Sequence, residues 1–450
     1  MSSAVLHRDT HFIPRKAVGG EGCYIFLEDG TKFLDSTGGA AVSCLGHGNE
    51  HVKQVVKAQI DQISYCHSAF FGTQATEDLA TFLTESTGGK MSKLFVVSSG
   101  SEAFEAALKL ARQYFLELPT PQPERTRFIS RLPSYHGTTL GALGAGGHVQ
   151  RRQPFEPLLA QNTSHVSPCY PYRGKKEGES DADYVARLAA ELDAEFQRVG
   201  PEKVCAFVAE PIVGAALGCV PAVPGYFPAV KAVCEKYGAL LILDEIMCGM
   251  GRCGTLHAWE QEGIVPDIQT IAKGLGGGYV PVSGILINDA VVQTMDKGTG
   301  QFRHGQTYQG HPVSCAAALA VQQTIKQQAL LDNVRDMGHY LEQRLRQEFE
   351  SHPHVGDIRG KGLFWGLEFV QDKTTKEPFD PKHRLAFHIQ ETGLKKEYAV
   401  SFYGSSGTVD GIRGDHVIIA PPYIVTKEEI DVVVDTLAKV LEVVLANFHE

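Results

Sequence analysis

The sequence has no apolar run approaching the roughly 18 residues of a membrane-spanning helix, which weighs against a membrane protein. None of its 10 cysteines falls in a CxxC pair, so neither a disulfide framework nor a zinc site is expected. Scattered from Cys23 to Cys315, they read as small buried hydrophobes or stray thiols of a reducing compartment. Dense basic clusters are missing too. Arg151–Arg152 and Lys175–Lys176 are only pairs, and with a net charge of −10 the chain lacks a footprint for nucleic acid. There is no internal repeat, no low-complexity linker, and no G-X-Y period to accompany the 47 glycines, which therefore belong to turns and close approaches. The opening MSSAVLHRDTHF lacks the apolar core of a signal peptide, and Asp9 argues against a transit peptide. A soluble, cytoplasmic protein is expected.

What remains is the balance of a globular protein: 450 residues, 43% hydrophobic and 21% charged, long enough for two or three domains. Apolar runs alternate with helix-forming stretches, the mark of an α/β sheet built from crossover units. Strands are expected at Leu94–Val97, Val204–Val208, Ala239–Leu243, Ile268–Ala272 and Pro281–Ile287, with a helix over Tyr226–Tyr237. Glu21–Leu34 reads as a hairpin turning at Glu28-Asp29-Gly30, and Gly174–Asp183 as an exposed loop. Short strands follow at Leu363–Val370 and His416–Ala420, and the last helix opens on a capping box, Thr426 with Glu429. We expect a large central domain over residues 61–325, with residues 1–60 and 326–450 folding together into a smaller one.

Three segments carry chemistry. Ala239–Leu243 reads as a strand buried on both faces, and it ends in Asp244-Glu245, where open α/β sheets place their ligands. Such a carboxylate serves metals and general-base chemistry in many families, so alone it says little. About one crossover unit later, Lys273 closes another apolar strand and is followed by Gly274 and Gly276-Gly277-Gly278. Desolvation there favours the neutral amine that Schiff-base chemistry needs. A phosphate-gripping lysine is the alternative, although a P-loop places its glycines before the lysine. Finally, Ser98-Ser99-Gly100-Ser101-Glu102-Ala103 joins a strand to a helix and suits an anion, or is simply a serine N-cap.

Together these segments resemble the fold-type-I pyridoxal-phosphate (PLP) transferases, and within them the class III aminotransferases of the ω-amino acid and amine transaminase group. Further motifs in the same order extend the resemblance: Asp35-Ser36-Thr37-Gly38-Gly39, Leu45-Gly46-His47-Gly48, Tyr135-His136-Gly137, Glu210-Pro211-Ile212, Gly251-Arg252-Cys253-Gly254, His304-Gly305-Gln306-Thr307-Tyr308 and Ala420-Pro421-Pro422. The resemblance implies a large domain with a mainly parallel sheet and a smaller α+β domain from both chain ends. It makes Lys273 the lysine that carries PLP as a Schiff base and shuttles the proton, and Asp244 the partner of the pyridine nitrogen. Ile246 and Tyr135, with His136 beside it, would bracket the ring; Gly100 and Ser101 would hold the phosphate; Glu210 would lie close by, either near the cofactor or orienting neighbours. Thr307 would reach the phosphate of a neighbouring subunit, which implies a homodimer with shared sites.

The substrates implied are an amino donor and a keto acid, used in a ping-pong cycle. On their side, Ala40-Ala41 marks an open pocket wall, and Phe70-Phe71 either an aromatic pair at the mouth or core. Arg413 is either a carboxylate clamp or a solvated partner of Asp415. Rival readings are a decarboxylase, racemase or aminomutase of the same family, a catalytically silent binding protein on this fold, and a metal hydrolase built on Asp244 and Glu245, for which neither neighbouring segment supplies a histidine.

Overall fold

Seven strands form the sheet that positions the site: β1 (Met91–Val97), β2 (Arg127–Arg131), β3 (Thr163–Val166), β4 (Val204–Ala209), β5 (Leu240–Asp244), β6 (Ile268–Ile271) and β7 (Ser283–Asn288). The computed structural model describes residues 3–447, so the outermost residues of the two terminal segments, 1–2 and 448–450, lie outside the described part. The spatial order is β3-β2-β4-β5-β6-β7-β1, parallel throughout except for β7, which runs antiparallel to both its neighbours.

The central strands are apolar on both faces because both are covered. Leu240 and Ile242 share a core with helix α1 (Gly100–Glu117), while Leu241 and Leu243 pack with helices α2 (Asp181–Val199) and α3 (Tyr226–Lys236). Each such side chain stabilises the sheet by about 1.5–3 kcal/mol.

The chain's two ends meet elsewhere. The Ser401 N–H donates to the Leu34 carbonyl and the Ala420 N–H to the Ser36 carbonyl. One apolar cluster contains Leu34, Cys44 and Val52 together with Leu341, Leu367, Ile419 and Leu437. A four-stranded antiparallel sheet (Val355–Lys361, Phe364–Phe369, Asp415–Ile419 and Tyr403–Ser406) lies in this part, beside the long helix Lys427–Ala446, whose capping box is formed as expected. No helix among the described residues is long and apolar enough to cross a membrane.

Two local expectations need correction, and two strands were not anticipated. The expected hairpin is the second half of a three-stranded meander, because Ala17–Glu21 pairs with Tyr24–Leu27. The Gly174–Asp183 loop is shorter than expected: Gly174 ends a helical turn, and Ser180 caps α2 by accepting from the Asp183 N–H. Strands β2 and β3 have no apolar signature. In β2 the buried polar residues are held instead by specific bonds, Ser130 donating to the Ala145 carbonyl (2.6 Å) and Arg131 to the Glu210 carbonyl.

Candidate active site

Five of the six strands that point toward one edge of the sheet deliver something to the same place; only β3 contributes nothing there. After β1 comes the Ser98–Ser101 turn, after β2 Tyr135 and His136, after β4 Glu210; β5 ends in Asp244, and Lys273 follows β6. These residues, with Ile246, line one cavity of about 260 Å³. Eight of the sequence-predicted residues are thus brought together: Gly100, Ser101, Tyr135, His136, Glu210, Asp244, Ile246 and Lys273.

The floor is built from Asp244. Side chains alternate along a strand, so Asp244 continues the face of Leu240 and Ile242, while Glu245 follows Leu241 and Leu243 to the other side. Asp244 is buried and held at both oxygens: Oδ1 accepts from the Ile246 N–H (3.1 Å) and the Thr270 hydroxyl (3.0 Å), and Oδ2 lies 2.7 Å from His136 Nδ1, which leaves Oδ2 one further acceptor site. That last bond puts the ring proton on Nδ1. The His136 ring stacks on Phe104 at 4.6 Å, and its buried Nε2 has no partner. Glu245 has a different task. It accepts from the Ala258 and Trp259 N–H groups (2.7 Å each) and from Gln269 (2.8 Å), and burial pushes its carboxyl up to about 8.

Lys273 sits at a positive φ of 46° that holds the turn after β6, and among the described residues its Nζ has no hydrogen-bond or ion-pair partner. Burial pushes its ammonium down to about 8, against the pull of Asp244 and Glu210, so about a tenth of it is neutral at pH 7, far more than for a free lysine. Glu210 is buried, and loss of solvent raises its carboxyl; it orients neighbours by accepting from the Tyr135 and Gly214 N–H groups (3.1 Å each).

The opposite wall fits a phosphate. Ser99 caps α1 by accepting from the Glu102 N–H (3.3 Å), which leaves the first-turn N–H groups of Gly100 and Ser101 without helical acceptors. Position 100 is tight: a Cβ there would stand 3.0 Å from the Ile246 side chain, which would have to shift. A carboxylate fixed from three sides with one acceptor site left, an orphaned imidazole nitrogen, an unpartnered amine and a glycine-lined anion cradle in one cleft together match the groups that PLP presents.

Three predicted residues are not in the cavity. Thr307 is exposed, its carbonyl accepting from the Tyr65 hydroxyl (3.0 Å). Phe71 is 67% exposed, as Phe70 is also, so neither is core. Arg413 is likewise at the surface, and its partners are Asp410 (2.7 Å) and Glu377 (3.5 Å) rather than Asp415, which is buried in its own strand. The pocket wall near Ala40-Ala41 is supplied by Val42, because Ala41 turns into a core cluster. Sequence reasoning missed Met247 and Thr270; Thr270 had a signal, since it lies opposite Asp244 in the register of β5 and β6.

The fold and this cleft define a PLP-type transferase, and comparison with known proteins narrows the class. Residues 5–441 match the class-III aminotransferase family, and the chain belongs to it. An aminotransferase of Gibberella zeae is 51% identical over 96% of this chain and 84% of its own length. The structure of an (S)-enantioselective ω-transaminase from Thermomicrobium roseum superposes with a TM-score of 0.90 at 36% identity, covering 97% of this chain and 94% of that one. The ω-transaminase of Pseudomonas jessenii, solved in complex with PMP, superposes with a TM-score of 0.88 at 31% identity over 96% and 93% of the two chains. The protein is a PLP-dependent transaminase that takes an amino donor and a keto acid.

Proposed function

We propose that Lys273 holds the cofactor and moves the proton of the amino transfer, with Asp244 beneath the pyridine nitrogen and Gly100 and Ser101 at the phosphate. The observation that carries this is the unpartnered Lys273 amine in the same cleft as a firmly held Asp244 with one acceptor site left and two free N–H groups. When bound, PLP supplies an electron sink for the substrate's α-carbon. The chain's own residues do the rest. Asp244, fixed by Thr270, Ile246 and His136, keeps its charge where a ring N–H can meet it, and Ile246 and Tyr135 close the two faces. Lys273 accepts a proton as a neutral amine and returns it as an ammonium, for which a value near 8 is suited. Glu210 acts through Tyr135, whose backbone it holds. In the test, Lys273→Ala should keep cofactor only non-covalently and lose turnover by several orders of magnitude; near-native turnover would remove Lys273 from this role.

The same reading makes the protein a homodimer in which Thr307 serves the partner's phosphate. Support comes from the surface around it: Tyr65, Phe70, Phe71 and Tyr308 are large exposed aromatics on neighbouring segments, an apolar patch typical of an interface. Phe71 would then stand at the mouth of the partner's site. Residues 61–325 are read as the large domain, and 1–60 with 326–450 as the smaller one, because Leu34 and Val52 share a core with the C-terminal helices. A cytoplasmic setting is supported by cysteines that are all free.

A further inference from the structure

Two adjacent arginines behind the lining of the cavity, one of them against Tyr135, have different surroundings. Both belong to the short helix Val149–Arg152. Arg152 is fully engaged: it bonds Glu156 through Nε and Nη2 (3.3 and 3.1 Å) and donates to the carbonyls of Gly144 and Gly146. Arg151 has no acid and no carbonyl. Among the described residues its only side-chain partner is the Tyr135 ring, over which its guanidinium stacks at 4.6 Å. Tyr135 is itself a wall of the Lys273 cavity.

We propose that Arg151 binds the carboxylate of the acid substrate, the keto acid and its amino acid counterpart, at the mouth of the Lys273 cavity. The assignment rests on the transaminase reading above and adds to it the residue that selects acid-bearing substrates. A guanidinium held over a tyrosine ring without a hydrogen-bonded partner keeps its N–H groups available, and their edge matches the two oxygens of a carboxylate. The helix is held in place by Gln150, which donates to the Ser406 hydroxyl (3.2 Å) and the Ile412 carbonyl (3.5 Å). His148 sits edge-on to the same ring at 6.2 Å; burial and Arg151 push it down to about 4, so it stays neutral and does not compete for the anion. The Arg151 charge is felt at the Lys273 amine and at the Tyr135 hydroxyl, which places it within electrostatic reach of the reacting end of the cavity. Arg8 is also close to Tyr135, but it lies on the exposed N-terminal segment. Arg413, the other arginine considered for this task, is occupied by Asp410 and Glu377.

The test loads apoenzyme with pyridoxamine phosphate and follows a single turnover with pyruvate or with the uncharged carbonyl propanal. Arg151→Gln should raise the half-saturating pyruvate concentration by about 10–100-fold, the loss expected for hydrogen bonds to a charged group. Its propanal rate should stay within about twofold of wild type, Arg151→Lys should recover part of the loss, and Arg413→Gln should change neither substrate. Equal losses for pyruvate and propanal would mean that Arg151 only supports the fold, and a pyruvate-selective loss in Arg413→Gln would transfer the role; either result overturns the proposal. A second arm needs no turnover: calorimetric titration of PLP-loaded protein with propionate and propionamide. Propionate should bind more tightly to wild type, and that advantage should vanish in Arg151→Gln. Loss of the advantage in a protein inactive toward both carbonyls would count against the transaminase reading alone, whereas an advantage unchanged by Arg151→Gln would overturn the assignment of Arg151.

Discussion

The floor of the cavity and its rim are built in opposite ways. On the floor, each oxygen of Asp244 is bonded, the Thr270 hydroxyl and the Ile246 N–H fix it, and Gly100 packs tightly against Ile246. Around the rim, Arg151 has no acid, Thr307 and Phe71 face outward, and Arg413 is tied to neighbours of its own. A carboxylate fixed from three sides suits one cofactor in one pose, whereas the more loosely held groups around it are the part free to differ between enzymes that share the chemistry.

If that contrast is right, the largest effects come from the floor. Asp244→Asn should slow the half-reaction by at least about a hundredfold, the scale of removing one preorganised charge, while cofactor binding weakens much less. Single-turnover absorbance reads the first and equilibrium dialysis the second; a near-native half-reaction would detach Asp244 from the ring. Its neighbour gives the matching control in stability. Glu245→Ala leaves two N–H groups unpaired in the core and takes one partner from the Gln269 amide, which keeps His257, and should cost about 2–4 kcal/mol in denaturant unfolding.

The adjacent carboxylates show what the sequence could tell. Ala239–Leu243 ends in both, and the alternation of a strand separates their tasks once its two faces are known, but nothing in the order of residues says which face holds the ligand. The legible residues are those fixed by short-range rules: a buried strand, the turn after it, and the next residue at the sheet's edge. For that reason Gly100, Asp244, Ile246 and Lys273 could be placed by motif and then met in one cleft. Strands β2 and β3 were not legible, because β3 is a half-exposed edge and the buried Ser130 and Arg131 of β2 depend on bonds to distant carbonyls. The role of Arg151 was hidden for the same reason. In sequence it is half of a basic pair, and only the fold shows that Arg152 is satisfied and Arg151 is not.

A smaller effect links floor and pH. The amine of Lys273 lies below its ordinary range, so the neutral form gains as pH rises through about 8 rather than through the range of a free lysine. The rate at which apoenzyme captures PLP covalently should therefore rise with a midpoint near 8. Stopped-flow absorbance measures it, and a midpoint near that of free lysine would show that the burial is not felt.

The smallest expected change is at the rim. Thr307→Ala should weaken cofactor binding by about 1–2 kcal/mol, one hydrogen bond to a charged group, and reduce the cofactor-induced rise in Tm. Mixing Lys273→Ala with a Thr307 variant carrying a bulky residue should restore activity after subunit exchange, because both defects can fall on one site of the mixed dimer. No recovery despite proven exchange would confine Thr307 to its own subunit.

The account depends most on Lys273. Borohydride reduction of the PLP-loaded enzyme, followed by digestion and peptide mapping, should find the cofactor fixed to the peptide that contains Lys273, with none in Lys273→Ala. Cofactor fixed to any other lysine, or equal labelling of the variant, would contradict the account.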